Sequence, residues 1–304
     1  MQLIETLLNG CLLGGLYGLI GLGLSINFGT MRVVFLAHGD LIVLAAYFLV
    51  VVLVPLGIPP LAAAALVIPV LFVVGWLLQR LIVDHSLGHS SGHSLRHGSG
   101  GRGADRGVLP PLIVTFGLSM VLQNLMLHFA TADARTLQSS LASAGIRLGG
   151  ITIPTVRVID FAVGAAAHGG VLAFLGRSAL GRALRATSDD LDTARLMGID
   201  PRRMFAVAAG ISAATGGVAG VLLAATSTFY PSTGSDMLLV AFEVVVVGGL
   251  GSLTGTFLGG LLLAVAQLIG ARYLGPSYSL ITGHLVVLLV LVFRPQGLMP
   301  RTAP

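Results

Sequence analysis

LIETLLNGCLLGGLYGLIGLGLSINF, Leu3 to Phe28, decides what kind of fold this chain can have. Its one charged residue, Glu5, stands near one end. At 1.5 Å per residue the run is long enough to cross the ~30 Å hydrocarbon layer of a bilayer as a single helix. A surface helix of a soluble protein keeps a broad polar face, whereas this pattern is apolar nearly all round. Gly14, Gly15, Gly18, Gly21 and Gly23 thin its surface, which suits close helix–helix approach in lipid.

Outward from that run the pattern repeats. Apolar stretches occupy 33–54, 61–83, 112–130, 158–175, 204–225, 237–247, 256–271 and 280–293. The 304 residues are 55% hydrophobic and 10% charged, with a mean hydropathy of +0.95. A soluble domain carries about 25% charge. The runs are continuous rather than alternating, which argues against a transmembrane β-barrel. The chain therefore reads as all-α, a polytopic helical membrane protein with roughly eight or nine transmembrane or half-spanning helices. The number is open at Gly248–Ser252, where the run from Met237 breaks. That break reads as one kinked helix or as two half-spans meeting in a re-entrant turn, which needs cover from protein or water. The first run has no basic segment before it and reads as a retained span rather than a cleaved signal.

All 17 cationic side chains are arginine; there is no lysine. A nucleotide-binding Gly-Lys-Ser/Thr loop is thereby excluded, so ATP, if used, is bound by another polypeptide. The single cysteine, Cys11, excludes an internal disulfide and a cysteine-only metal site. No HExxH, GxSxG, CxxC or GxGxxG arrangement stands in a suitable context, so no enzymatic activity and no cofactor are expected of this chain. The arginines lie at the ends of apolar runs, which accounts for the basic balance without a nucleic-acid partner. The positive-inside rule puts the arginine-rich segment in the cytoplasm. Arg32, the segment 84–107 and the C-terminus then fall on that side and the N-terminus on the other.

Four polar features interrupt the apolar pattern. The first is GRALRATSDDLDTARLMGIDPRRMF, Gly181 to Phe205, with five arginines and four aspartates. Ala183 to Met197 is expected to form one short helix, Gly198 to cap it and Asp200-Pro201 to start the next span. It reads as a solvated loop or as a helix that docks into a cytoplasmic partner. The second is Ala37-His38-Gly39-Asp40, a pore-lining or gating element or else an interfacial helix cap. The third is the stripe of Ser119 and Gln123, with Thr115 a turn away. It reads as a translocation wall or as interhelical hydrogen bonding. The fourth is Glu243, a lone carboxylate that must be paired, protonated or wet. His168, Gln267 and His284 read as packed polar groups. His85, His89, His93 and His97 recur every four residues, but the glycines and serines between them oppose a helix. They read as a polar loop, and no metal site is assigned.

The run GRALRATSDDLDTARLMGI resembles the ATPase-coupling loop of ABC importer permeases, closest to the branched-chain amino-acid permease family. MRVVFLAHGDLIVLAAY (Met31–Tyr47), VVVVGGLGSLTGTFLGG (Val244–Gly260) and FRPQGL (Phe293–Leu298) are similar to that family's other signatures, in the family's order. The resemblance implies one permease domain over 1–304 with the ABC importer permease fold. It would have a polar cytoplasmic loop at 84–111 and a coupling loop at 177–203. Arg185, Asp190, Ala194, Gly198 and Ile199 would serve ATPase coupling. His38, Gly39, Asp40, Ser119, Gln123 and Glu243 would line the substrate path, with Gly248, Gly249 and Gly251 as gating glycines. The implied setting is the bacterial cytoplasmic (inner) membrane. The implied partners are cytoplasmic ABC ATPase subunits that bind the ATP, a second permease subunit, a solute-binding protein and the lipid bilayer. The implied cargo is a branched-chain amino acid. Urea, amides or another small solute, or a proton-coupled transporter or channel, are the alternatives.

Overall fold

The computed structural model describes residues 2–85, 109–137, 145–148 and 151–299. The chain runs α1 (Gln2–Met31), α2 (His38–Tyr47, prolonged by wider turns over Phe48–Leu53) and α3 (Pro60–Leu78, prolonged likewise over Gln79–Val83). It continues through α4 (Leu109–Ala130), the strands β1 (Gly145–Leu148) and β2 (Ile151–Pro154), and α5 (Thr155–Arg177). Two short helices, α6 (Ala179–Asp189) and α7 (Leu191–Leu196), precede α8 (Pro201–Thr226). The last three helices are α9 (Thr233–Gly248), α10 (Leu253–Tyr273) and α11 (Ser279–Phe293). Among the described residues seven helices are long and apolar enough to cross a membrane, and His38–Leu53 forms a shorter apolar one. The protein is a multi-pass, helical membrane protein.

The two most enclosed spans are α1 and α8. Glycines explain how so many helices reach them. On α1, a Cβ at Gly10, Gly14 or Gly18 would strike Val265, Leu261 or Phe257 in turn, the descending order of an antiparallel partner, α10. One turn round the same helix, Gly15 lies against Phe161 and Gly164 of α5. Small residues at such positions let backbones approach closely, and dispersion is what holds helices together once lipid surrounds them. On α8, Gly210 and Gly217 receive Phe72 and Leu71 of α3, while Gly220 receives the backbone of α2 at Ile42. The outer helix α11 has almost no buried surface.

Three sequence expectations change in the structure. The arginine-rich segment forms two helices instead of one, because the Asp190 side chain accepts the backbone N–H groups of Asp192 and Thr193 and restarts the helix there. The break at Gly248–Ser252 is neither a kink nor a meeting of two half-spans. Gly249 (φ 107°) and Gly251 (φ 78°) make a tight turn, and α10 beyond it is a full span. Of the two helices that flank the turn, α9, at 16 residues, is the one that falls short of ~30 Å at 1.5 Å per residue. The connector before α5 holds an antiparallel hairpin, Gly145 opposite Pro154, a small exception to an otherwise helical chain. The histidines at 89, 93 and 97, and most of the polar loop at 84–111, lie outside the described residues.

Candidate functional site

The chain reverses at Arg32, whose φ of 54° ends α1. Residues 33–37 run back without helix, and α2 starts at His38. His38 is fully buried, and its Nε2–H donates to the Ile20 carbonyl at 3.0 Å. Ile20 lies eleven residues before the end of α1, about 16 Å along the axis. The first turn of α2 therefore sits deep in the apolar layer. A second helix also begins at depth. In α9 the Thr233 hydroxyl accepts the Tyr230 N–H at 2.9 Å, and Gly234 lies directly against Gly39 and Asp40. A Cβ on Gly39 would overlap the Gly234 carbonyl, and one on Gly234 would overlap the Asp40 carboxylate. This glycine–glycine contact is why two helix starts can meet.

A third helix completes the cluster. Gln123 of α4 donates from Nε2 to Asp40 Oδ1 (2.9 Å) and lies 3.2 Å from the Ser235 hydroxyl of α9. Ser119, one turn before Gln123, hydrogen-bonds the same carboxylate. Asp40 is buried, Ser119 and Gln123 are half-buried, and Ser235 and Asp236 are exposed. On α4 and α9, Phe116, Met120, Leu239 and Phe242 are exposed. Polar groups presented sideways at membrane depth face water or another protein, because lipid cannot satisfy them. Two helix N-termini bring positive partial charge, although the His38, Thr233 and Ser235 N–H groups already donate to the carbonyls of Phe35, Tyr230 and Ser232. Asp40 and Asp236 bring acceptors. Such a surface can hold an anionic and a cationic group together.

Of the residues expected along a path, the structure unites Gly39, Asp40, Ser119 and Gln123; the His38 side chain turns instead to α1 and α8, and Glu243 lies elsewhere. Glu243 is buried two turns further along α9 and pairs with His284 of α11. Nearby, Tyr17 donates to Gln267 at 2.7 Å. This polar group ties α1, α9, α10 and α11 together. The glycines at 248, 249 and 251 lie at the far end of α9. There Leu298 and Met299 donate to the carbonyls of Val247 and Gly248, so the tail beyond α11 pins the turn. Ser235 and Asp236 escaped the sequence reading because they stand just before an apolar run. The signal was present: Ser232-Thr233-Gly234-Ser235-Asp236 is a helix-start composition.

The segment expected to couple to an ATPase is built from caps. Ser178 Oγ accepts the Gly181 N–H and starts α6. Asp190 starts α7 and also accepts the Thr193 hydroxyl at 2.6 Å. That hydroxyl bond, with the two backbone bonds, holds the Asp190 carboxyl below the usual carboxylate range. Gly198, at φ 79°, closes α7: its N–H reaches the Arg195 carbonyl and that of Ile199 reaches Ala194, a Schellman closure. Asp200 then caps α8 through the Arg202 N–H. Ala194 is buried, whereas Arg185, Asp190 and Gly198 are exposed and Ile199 is half-buried. The residues that project furthest are Leu196 and Met197, 87% and 77% exposed, which the sequence reading had not singled out. Ser188 Oγ donates to the Gly29 carbonyl at 2.6 Å, fastening α6 to the end of α1. Among the described residues no group of three or more metal-ligating side chains occurs.

Comparison with known proteins agrees with this architecture. The family described as branched-chain amino acid transport system / permease component matches residues 6–294. The high-affinity branched-chain amino acid transport system permease protein BraD of Pseudomonas aeruginosa is 30% identical over 98% of this chain and 96% of its own length. The corresponding LivH protein of Escherichia coli is 29% identical over 99% of this chain and 96% of its own. The LivM permease of Escherichia coli is 36% identical over 42% of this chain and 30% of its own length. No solved structure matches significantly. The chain belongs to the family of branched-chain amino acid transport system permease components.

Proposed function

We propose that this chain is a membrane-spanning subunit of an ABC importer for branched-chain amino acids, with ATP hydrolysed on partner subunits. The observation that carries the substrate class is the meeting of α2 and α9 at Asp40. A zwitterion needs donors for its carboxylate and acceptors for its ammonium. Two helix N-termini supply the first, and Asp40 with Asp236 supplies the second. Leu239 and Phe242, exposed further along α9, give an aliphatic side chain apolar company. The patch opens sideways, so its other wall is a second permease subunit; the relatives named LivH and LivM are two such proteins in one bacterium. The exposed Leu196–Met197 tip faces the cytoplasm and seats in an ATPase socket. A solute-binding protein delivers the amino acid at the opposite end.

The chain's contribution is conformational. ATP-driven movement of α7 shifts the balance between two arrangements of the spans, and the amino acid biases the same balance. The test is uptake of labelled leucine by vesicles holding this chain with its candidate ATPases, second permease and binding protein. Uptake that requires ATP and every component is expected. Uptake by the chain alone, driven by a pH gradient, would overturn the reading in favour of a proton-coupled carrier.

A further inference from the structure

We propose that the cleft between the basic ends of α3 and α8 is a binding site for an anionic phospholipid. The cleft has a volume of about 1100 Å³. Arg80, Arg202 and Arg203 stand at its mouth, and none of them forms an ion pair among the described residues. Two carboxylates, Asp84 and Asp200, line the same cleft, and Arg202 and Arg80 act on Asp84, so three arginines against two carboxylates leave the cleft net positive. Asp84 accepts a hydrogen bond from Gln79, and Asp200 caps the helix through Arg202 N. The guanidinium of Arg80 lies 5.1 Å over the ring of Trp76, which holds it in place. Trp76 is the chain's sole tryptophan, and tryptophan favours headgroup depth. Three guanidiniums at that depth, one of them held over Trp76, match a phosphate diester.

The cleft does not end at the headgroups. It descends two turns of α3 to Phe72, and Phe72 and Val207 also line a second, apolar groove of about 310 Å³. That groove runs past Gly170, Val171, Phe174 and Ile211. Gly170 has nothing within 4 Å of the place where a Cβ would stand, so the groove is open at its floor. A basic mouth over an apolar groove fits a charged head with an acyl chain beneath it. A soluble ATPase could meet the arginines but could not fill a groove at hydrocarbon depth. The site needs only that α3, α5 and α8 span the membrane.

The experiment measures binding of dioleoyl phosphatidylglycerol to the purified full-length protein in detergent, by native mass spectrometry and thermal shift. Phosphatidylcholine with the same chains and inorganic phosphate are measured alongside. Phosphatidylglycerol is expected to bind and stabilise, and the other two are not. The triple variant Arg80→Gln, Arg202→Gln, Arg203→Gln is expected to weaken phosphatidylglycerol on the order of 100-fold, at roughly five-fold per arginine near an anionic surface. Its melting temperature in phosphatidylcholine should be unchanged. Gly170→Leu fills the groove without touching a charge and is expected to weaken the lipid while leaving that melting temperature intact. Equal binding of phosphatidylcholine, an equal shift from inorganic phosphate, or full phosphatidylglycerol binding by both variants would each overturn the proposal.

Discussion

Replacing Gly39 with alanine tests the site at its tightest point. A Cβ on Gly39 would overlap the Gly234 carbonyl and stand 2.7 Å from the Leu238 nitrogen. Ordinary contact begins near 3.4 Å. The start of α9 must therefore withdraw by at least 0.7 Å, and further at the Gly234 carbonyl, at the ~1–3 kcal/mol that overpacking costs. Ser235, next to Gly234, stands 3.2 Å from Gln123, and a shift of that size away from α4 would carry it to about 3.9 Å or more, beyond hydrogen-bond range. If the polar patch recognises substrate with both helix starts in register, a loss of ~1.4 kcal/mol or more there lowers transport about ten-fold. Gly117→Ala on α4 is the matched control. Nothing lies within 4 Å of a Cβ there, and alanine in a helix interior gains about 0.5–1 kcal/mol over glycine. The assay is the initial rate of leucine uptake in reconstituted vesicles against substrate concentration, with a thermal unfolding curve for each protein. Uptake by Gly39→Ala within two-fold of the parent, at parental stability, would refute the argument, since the crossing would then tolerate what its geometry forbids.

Leu196→Asp with Met197→Asp should leave stability within about 0.5 kcal/mol, as exposed sites do, and abolish co-purification with the ATPase; a retained complex removes α7 as the docking tip. Asp190→Ala should reduce leucine transported per ATP while Asp190→Asn, an equally good cap, restores it; identical behaviour of the two variants excludes the cap as the cause. Because its bonds hold the Asp190 carboxyl below the usual range, the cap is complete above that range and lost only as pH falls through the lowered value. Ser188→Ala removes a bond to α1 worth about 1 kcal/mol and should leave ATP hydrolysis running with less uptake per ATP; an unchanged ratio sinks the proposed link. His284→Ala should lower thermal stability by about 1 kcal/mol, the scale of an intramembrane polar contact, with KM for leucine unaltered; a raised KM would return Glu243 to the path.

The spans were legible because apolar runs of that length have few other uses, and their limits in the sequence agree with the helices within a few residues. The caps were legible too. Gly198 and Asp200-Pro201 act as their residue types demand, since capping is local chemistry. What local chemistry leaves open is depth. His38-Gly39-Asp40 at a helix start reads equally as an interfacial cap or as an intramembrane turn. Only the bond from His38 to Ile20 places it inside the layer, and that partner is eighteen residues away in sequence. The surroundings of Glu243 were hidden for the same reason. Its partner, His284, belongs to a helix that the pattern cannot place beside α9. Ala194 is small and lies in a charged run, so it read as a surface; in fact it packs inward, and the longer Leu196 and Met197 carry the exposure.

The two halves of the machine meet on one helix. Ser188 grips α1 at Gly29, and His38 grips it at Ile20, nine residues or ~14 Å apart along a helix axis. Between those points α1 is an unbroken helix without proline, stiff over so short a length. The other route from α6 and α7 to α2 runs through α8, whose Gly216 and Gly220 lie against His38 and Ile42. A displacement of α7 therefore reaches the start of α2 by two rigid members, one on either side of His38. Only the five non-helical residues 33–37 lie between the α1 shaft and that start in sequence, and they can absorb rotation where a continuous helix could not. A helix that starts in mid-membrane is costly in backbone hydrogen bonds. Here it gives the proposed substrate patch a joint at the place where the two members converge.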